Sequence, residues 1–228
     1  MLTIGILQTN WGQNWLARQV TKKLSRELQT HIDIKRVEFG FFNRMDLEGF
    51  LIKDQKKDTL LWAGTLQVRI TDWFFFKDRV DLKYIALKDA QINLNRTDSI
   101  WNYQFLADYF NTPSKKKNNK ETGIEFNLKT IEMDNVSFVK KDAWVGSDLY
   151  AKVTSLDVDA KNISTNKKLV DITDIVLVNP FIHLYNYTGK KLNAPVIVAE
   201  DKTITADSLI GWNPENWKVS INSITVKN

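Results

Sequence analysis

Ile85-Ala86-Leu87-Lys88-Asp89-Ala90-Gln91-Ile92-Asn93-Leu94 is the stretch that decides how this chain folds. Alternating apolar and polar residues mark a strand with one buried face. Here the alternation slips by one: Ile85 and Leu87 hold odd positions, whereas Ile92 and Leu94 hold even ones. The phrase returns at Ile131, Met133, Val136 and Phe138, with Asp134-Asn135 at the slip. It returns again at Ile175, Leu177, Pro180, Ile182 and Leu184, with Asn179 there. Val37, Phe39 and Phe42 give a fainter version around Gly40, and Ile224 with Val226 begin another. Successive starts lie 48, 46, 44 and 49 residues apart. A recurring unit that cannot close its own core points to an array.

A change of parity turns every later side chain to the other face of a sheet. An extra residue in a β-bulge absorbs the change, keeps the apolar face continuous and adds twist. Asp89, Asn135 and Asn179 are residue types that tolerate the backbone this requires, and Pro180 suits an interrupted ladder. Repeated in successive long strands, such bulges would curl the sheet into a trough. The alternative is a tight corner between two short strands.

Outward from the phrase, period-two patterns continue at Ile32/Ile34, Phe50/Ile52, Leu60/Trp62, Leu66/Val68/Ile70, Leu82 and Phe126/Leu128. Others are Leu149/Ala151/Val153, Leu156/Val158/Ala160, Val196/Val198 and Ile204/Ala206. Turn formers separate them at Asp54–Asp58, Asn162–Lys168 and Gly189–Lys191. Mostly short connections predict antiparallel neighbours, and one polar face per strand predicts a sheet wet on one side. Trp11–Gln29 is the one clear helix, with Leu16, Val20, Leu24 and Leu28 as its docking face and Arg18, Lys22, Lys23 and Arg26 elsewhere. Such a helix docks on a sheet or lies on a membrane surface. A helical turn or two is expected between Ser99 and Phe110, and Trp73-Phe74-Phe75-Phe76 would plug a corner or form a membrane-facing edge. The fold class read here is mainly β: an N-terminal amphipathic helix over residues 1–30, then a curved antiparallel sheet over 31–228 forming an open groove.

The chain has 228 residues, eight Trp, no Cys and a net charge of +5. Without cysteine there are no disulfides or thiolate metal sites, and the compartment stays open. Lys115-Lys116-Lys117 and Lys120 lie in a polar stretch read as a flexible loop at about 111–123, with a patch for anionic lipid or nucleic acid as the alternative. Met1–Leu7 is too short to span a membrane and reads as the tail of a longer hydrophobic segment, and the chain as a fragment. His31 and His183 fit no metal-binding spacing, no nucleophile or phosphate-loop motif occurs, and no RNA-platform signature is present. Hence no catalytic residue, metal, cofactor or nucleic-acid partner is expected.

Several segments carry a family resemblance: Leu7-Gln8-Thr9 leading into Gly12-Gln13-Asn14-Trp15-Leu16-Ala17, Phe42-Asn43-Arg44, Asp46-Leu47-Glu48-Gly49, Leu66-Gln67-Val68-Arg69-Ile70, Trp73-Phe74-Phe75, and the Ile85–Leu94 phrase with Trp101-Asn102. Together they resemble the N-terminal region of the AsmA-like family, in the TamB branch found in Bacteroidetes. The resemblance covers roughly residues 7–110 and rests on the repeat beyond. It implies a periplasmic protein anchored in the inner membrane by an N-terminal helix, whose apolar β-groove carries phospholipid toward the outer membrane. It also implies help with outer-membrane protein assembly or secretion, alongside a barrel partner of the Omp85 type. Residues that would line the groove are Ile85, Leu87, Ile92, Leu94, Ile131, Met133, Val136, Phe138, Ile175, Leu177, Ile182 and Leu184. Asp58-Thr59-Leu60, Asp98-Ser99-Ile100 and Asp207-Ser208-Leu209 resemble O-glycosylation acceptors of the same group of bacteria.

Overall fold

The computed structural model describes residues 10–40, 44–70, 79–111, 123–164, 167–191 and 216–228. Expectations for Met1–Leu7, Phe42, Trp73–Phe76, the loop at 112–122, the strands at 196–206 and the triplet at 207–209 lie outside these residues.

Helix α1 (Asn10–Leu28) buries Leu16, Ala17, Val20 and Leu28 and half-buries Leu24 against the sheet. Their spacing places them on one stripe, while Arg18, Lys22 and Arg26 face solvent. The helix ends where Gln29 adopts a left-handed φ of 51° and Thr30 N–H reaches back to the Ser25 carbonyl at 3.2 Å. Thr30 Oγ1 then donates to the Lys53 carbonyl at 2.6 Å, fixing the helix to the sheet.

The strands are β1 (Ile32–Asp33), β2 (Arg36–Phe39), β3 (Arg44–Lys53), β4 (Thr59–Ile70), β5 (Arg79–Arg96), β6 (Gly123–Asp142), β7 (Ser147–Ser164), β8 (Leu169–Val178), β9 (Phe181–Asn186) and β10 (Lys218–Lys227). They form one open, mainly β sheet in the order β1-β3-β4-β5-β6-β7-β8-β10, with β2 on β3 and β9 on β7. Eight strands abreast among the described residues span about 34 Å at the usual interstrand spacing.

The sheet is mixed, which corrects the antiparallel expectation. β3-β4-β5 and β6-β7-β8 are antiparallel meanders, but β5 pairs β6 in parallel and β8 pairs β10 in parallel. Parallel neighbours need a long crossover, and these junctions are where the chain supplies one, over 97–122 and 187–217. The first carries helix α2 (Gln104–Asn111). The period of the phrase follows: it is written in the first and third strands of each meander, which run in the same direction.

The slip sits where the sequence places it, but it is not a bulge. Asp89, Asn135 and Asn179 have φ of 50°, 51° and 46°. At Asp89 and Asn135 the ladders step over one residue on both strands and resume in the same register: Lys88↔Asp134 gives way to Ala90↔Val136, and Asp134↔Ser155 to Val136↔Val153. At Asn179 two are stepped over on both strands, from Ser155↔Val178 to Lys152↔Phe181. β3 and β4 do the same, from Glu48↔Thr65 to Phe50↔Ala63, at Gly49 with φ of 59°. A bulge sets two residues against one; here one is set against one, and neighbouring strands reverse parity together along a transverse crease. Asn135 Nδ2 donates to Asp89 Oδ1 at 2.7 Å, and Asn179 Nδ2 to Thr154 Oγ1 at 3.4 Å, so side chains along the crease bond where the backbone ladder skips.

The crease adds two placements to those read from the sequence. It runs through Met45, Leu47, Phe50 and Ile52 around Gly49, whereas the fainter phrase at Val37–Phe42 runs into residues outside those described. In β4 the slip falls at Gly64, so Leu61 and Ala63 join the apolar face while Trp62 is 42% exposed. True register shifts lie on a second line, at Leu82/Tyr84, Leu128/Thr130 and Asp159 to Asn162. At Asn135 a glycine accepts the left-handed backbone and a β-branched residue resists it. Asn135→Gly should therefore unfold in urea close to the wild-type midpoint, and Asn135→Val should lose about 1–2 kcal/mol.

Candidate functional site

The feature that stands out is an apolar face, covered at one edge of the sheet and open at the other. Along the row just past the crease, Ala63, Ala90 and Val136 are 0%, 5% and 3% exposed. Two rows of the ladder carry the face onward, through Ile131↔Val158↔Ile175↔Ile224 and through Phe138↔Ala151↔Ile182. Burial falls along them, since Ile175 is half-buried whereas Ile224 and Ile182 are 59% and 63% exposed.

The cover is helical. α1 packs on β1 and β2, and α2 contacts α1 and β6. Phe105, Leu106 and Tyr109 of α2, with Tyr103 before it, pack on the same core as Leu16 and Val20. The Tyr109 hydroxyl donates to Glu27 Oε2 at 2.7 Å, joining the two helices. Burial, helped by that carboxylate, pushes the Tyr109 hydroxyl pKa well up, so the proton stays in the bond.

The candidate lining residues therefore divide. Leu87 and Val136 are buried core, and Ile85, Ile92, Leu94, Ile131 and Met133 are half-buried against that core. Phe138, Ile175 and Leu177 are half-buried, while Ile182 and Leu184 are 63% and 65% exposed. Val219 and Ile221, beyond the residues expected to line the groove, extend the open face, and their alternation is visible in the sequence. Both histidines are exposed. Thr59 and Ser99, of the two described glycosylation-like triplets, begin β4 and sit in an exposed loop.

One end of the face is closed by a polar knot. Arg96 donates from Nε to Asp142 Oδ1 and from Nη2 to Oδ2, both at 2.8 Å, a paired geometry that holds guanidinium and carboxylate coplanar. The Asp142 side chain is 2% exposed. Val145 N–H adds a bond at 3.2 Å, Lys140 Nζ lies 3.9 Å away, and the Arg96 guanidinium covers the Trp101 ring at 4.6 Å. Burial alone would raise the Asp142 pKa, but the Arg96 bond, the Val145 N–H and the two positive charges outweigh it and hold the carboxyl below its usual range. Beside it, Asn102 Nδ2 donates to buried Asp54 and to the Asn93 carbonyl, pinning the crossover to β3 and β5.

The opposite face is polar. A shallow hollow of about 280 Å³ lies there, with Gln67, Lys88, Glu132, Asp134, Ser155 and Asp157 around Ala86. Tyr84 donates to Glu132 at 2.5 Å under Arg69, whose guanidinium sits 4.4 Å from its ring. Burial first, then the Glu132 bond, pushes the Tyr84 hydroxyl up to about 12. Among the described residues no group of three His, Cys, Asp or Glu side chains is placed to hold a metal, and no helix is long and apolar enough to cross a membrane.

No model of a known protein family matches this chain, and no characterised protein matches it either.

Removing the Asp142 charge leaves Arg96 without its partner in a largely buried setting. Asp142→Asn should cost about 3 kcal/mol in denaturant unfolding. Because the folded carboxyl titrates below its unfolded value near 4, its contribution is complete above that pH and lost as pH falls through the folded value. Wild-type melting temperature should thus fall more steeply than that of the variant as pH drops below about 4.

Proposed function

We propose that this chain is a segment of a lipid-carrying bridge, in which acyl chains lie along the open part of the apolar face. The observation behind this reading is the gradient of cover: helices α1 and α2 roof the face over the first strands, and the face continues bare across β9 and β10. Six large aliphatic residues there, Ile182, Leu184, Val219, Ile221, Ile224 and Val226, are between 46% and 65% exposed. A contiguous apolar patch of that kind on a soluble surface calls for an occupant. The resemblance to the AsmA-like, TamB-type proteins supplies the reading of that occupant as phospholipid, with the inner membrane at one end of the path and an Omp85-type barrel at the other. A periplasmic setting and a non-enzymatic role belong to the same proposal.

A second reading, a scaffold for outer-membrane protein assembly, draws on β9. Among the described residues its Phe181–Asn186 backbone has a strand neighbour on the β7 side only, all six residues are exposed, and none is charged. An uncharged, unprotected edge is a template for an extended client strand.

Purified protein extracted with organic solvent should yield phospholipid by mass spectrometry. Ile182→Lys with Leu184→Lys, both on the open face, should reduce the yield at least several-fold. Tyr185→Lys, on the opposite face of the same strand, should leave it unchanged. Lipid-free protein, or equal loss from both faces, would reject the conduit. Photocrosslinking from β9 to an unfolded outer-membrane protein instead of to lipid would favour the scaffold.

A further inference from the structure

Strand β10 forms one margin of the sheet: its ladder runs to β8, and among the described residues no strand lies on its other side. We propose that this edge pairs antiparallel with β10 of a second copy of the chain, about a two-fold axis passing between Asn222 and Ser223.

The argument starts in the sequence. Lys218-Val219-Ser220-Ile221-Asn222 reads outward from that point as Lys227-Val226-Thr225-Ile224-Ser223 does in the other direction. In a regular strand this near-palindrome would be of no use. Residues equidistant from a point between two positions differ by an odd number, so they project from opposite faces. β10 is not regular. Its ladder with β8 passes from Ile221↔Ile172 to Ser223↔Asp174, stepping over Asn222, and the parity slips there. Val219 and Ile221 sit beside Val170 and Ile172; Ile224 and Val226 sit beside Ile175 and Leu177. All four therefore share the apolar face, which turns the palindrome into a two-fold match. Val219 would lie against Val226 of the second copy and Ile221 against Ile224, while Ser220 meets Thr225 on the polar face. In a strand of L-residues the face of a side chain fixes the direction of its own N–H and C=O. The slip thus brings the outward backbone groups into step along with the side chains.

The interface is isologous and extends both sheets into one. It is also modest. Lys218 would face Lys227 at each end, which opposes pairing, and one pair of strands buries less than a standard interface. Association should accordingly be weak and concentration-dependent. The proposal stands apart from the lipid reading, since one is measured by mass and the other by extracted lipid.

Sedimentation equilibrium of the full chain over a micromolar to submillimolar range should show a reversible monomer–dimer equilibrium. Ile221→Glu with Ile224→Glu, and separately Ile221→Lys with Ile224→Lys, place like charges opposite each other in the dimer. The two positions are 46% and 59% exposed, so neither variant removes core, and circular dichroism verifies the fold. Each variant alone should raise the dissociation constant at least about a hundredfold. An equimolar mixture should recover a heterodimer, because each Glu then faces a Lys. A wild-type chain that stays monomeric, a dimer that survives in either variant, or a mixture that fails to associate would each overturn the proposal.

Discussion

The rest of the structure depends on one constraint: strands that change face must change it at the same row. A strand that reversed parity alone would point its remaining apolar residues into water while its neighbours kept theirs inside. The sheet meets the constraint with left-handed residues in line across it, Gly49 in β3, Asp89 in β5, Asn135 in β6 and Asn179 after β8. Those backbones cost local conformational energy wherever the residue is not glycine. Side-chain bonds between Asn135 and Asp89, and between Asn179 and Thr154, offset part of that cost by replacing ladder bonds the crease interrupts.

Direction follows from the same arrangement. Parallel junctions between meanders keep the phrase-bearing strands in one orientation, so their creases coincide without adjustment. Those junctions also require long crossovers, and the first one delivers α2 onto the apolar face beside α1. Roof and crease are thus linked through connectivity: the segment that allows two meanders to meet in parallel is the segment that covers the face between them.

Much of this was written in local sequence. The four-residue spacing of Leu16, Val20, Leu24 and Leu28 located the helix and its docking side, and parity located Asp89, Asn135 and Asn179 as special backbone positions. Local sequence misled in three respects. It favoured a bulge, because a single strand does not reveal whether its neighbour slips too. It favoured antiparallel pairing, because the choice of partner across residues 97–122 is made by tertiary packing rather than by turn chemistry. It treated Leu87 and Val136 as equivalent to Ile182 and Leu184, because a strand's pattern marks which face is apolar and says nothing of what lies over it. The crease at Gly49 is hidden for a related reason: a glycine within a strand is equally compatible with a bulge, and only the matching step in β4 distinguishes the two.

The two transverse lines differ in what they let the chain lose or gain. Along the line through Leu82, Leu128 and Ala160, three residues of β6 already face one of β5, and three of β7 face one of β6, so these ladders hold unequal counts without losing their outer pairing. Along the crease the count is one to one. Deleting Asp89 would either break step with β4 and β6 or, with the crease kept at that row, turn Ile92 and Leu94 onto the polar face. Variation in length is therefore admitted along one line and barred along the other, which fixes where the phrase can drift in spacing and where it must keep step with its neighbours.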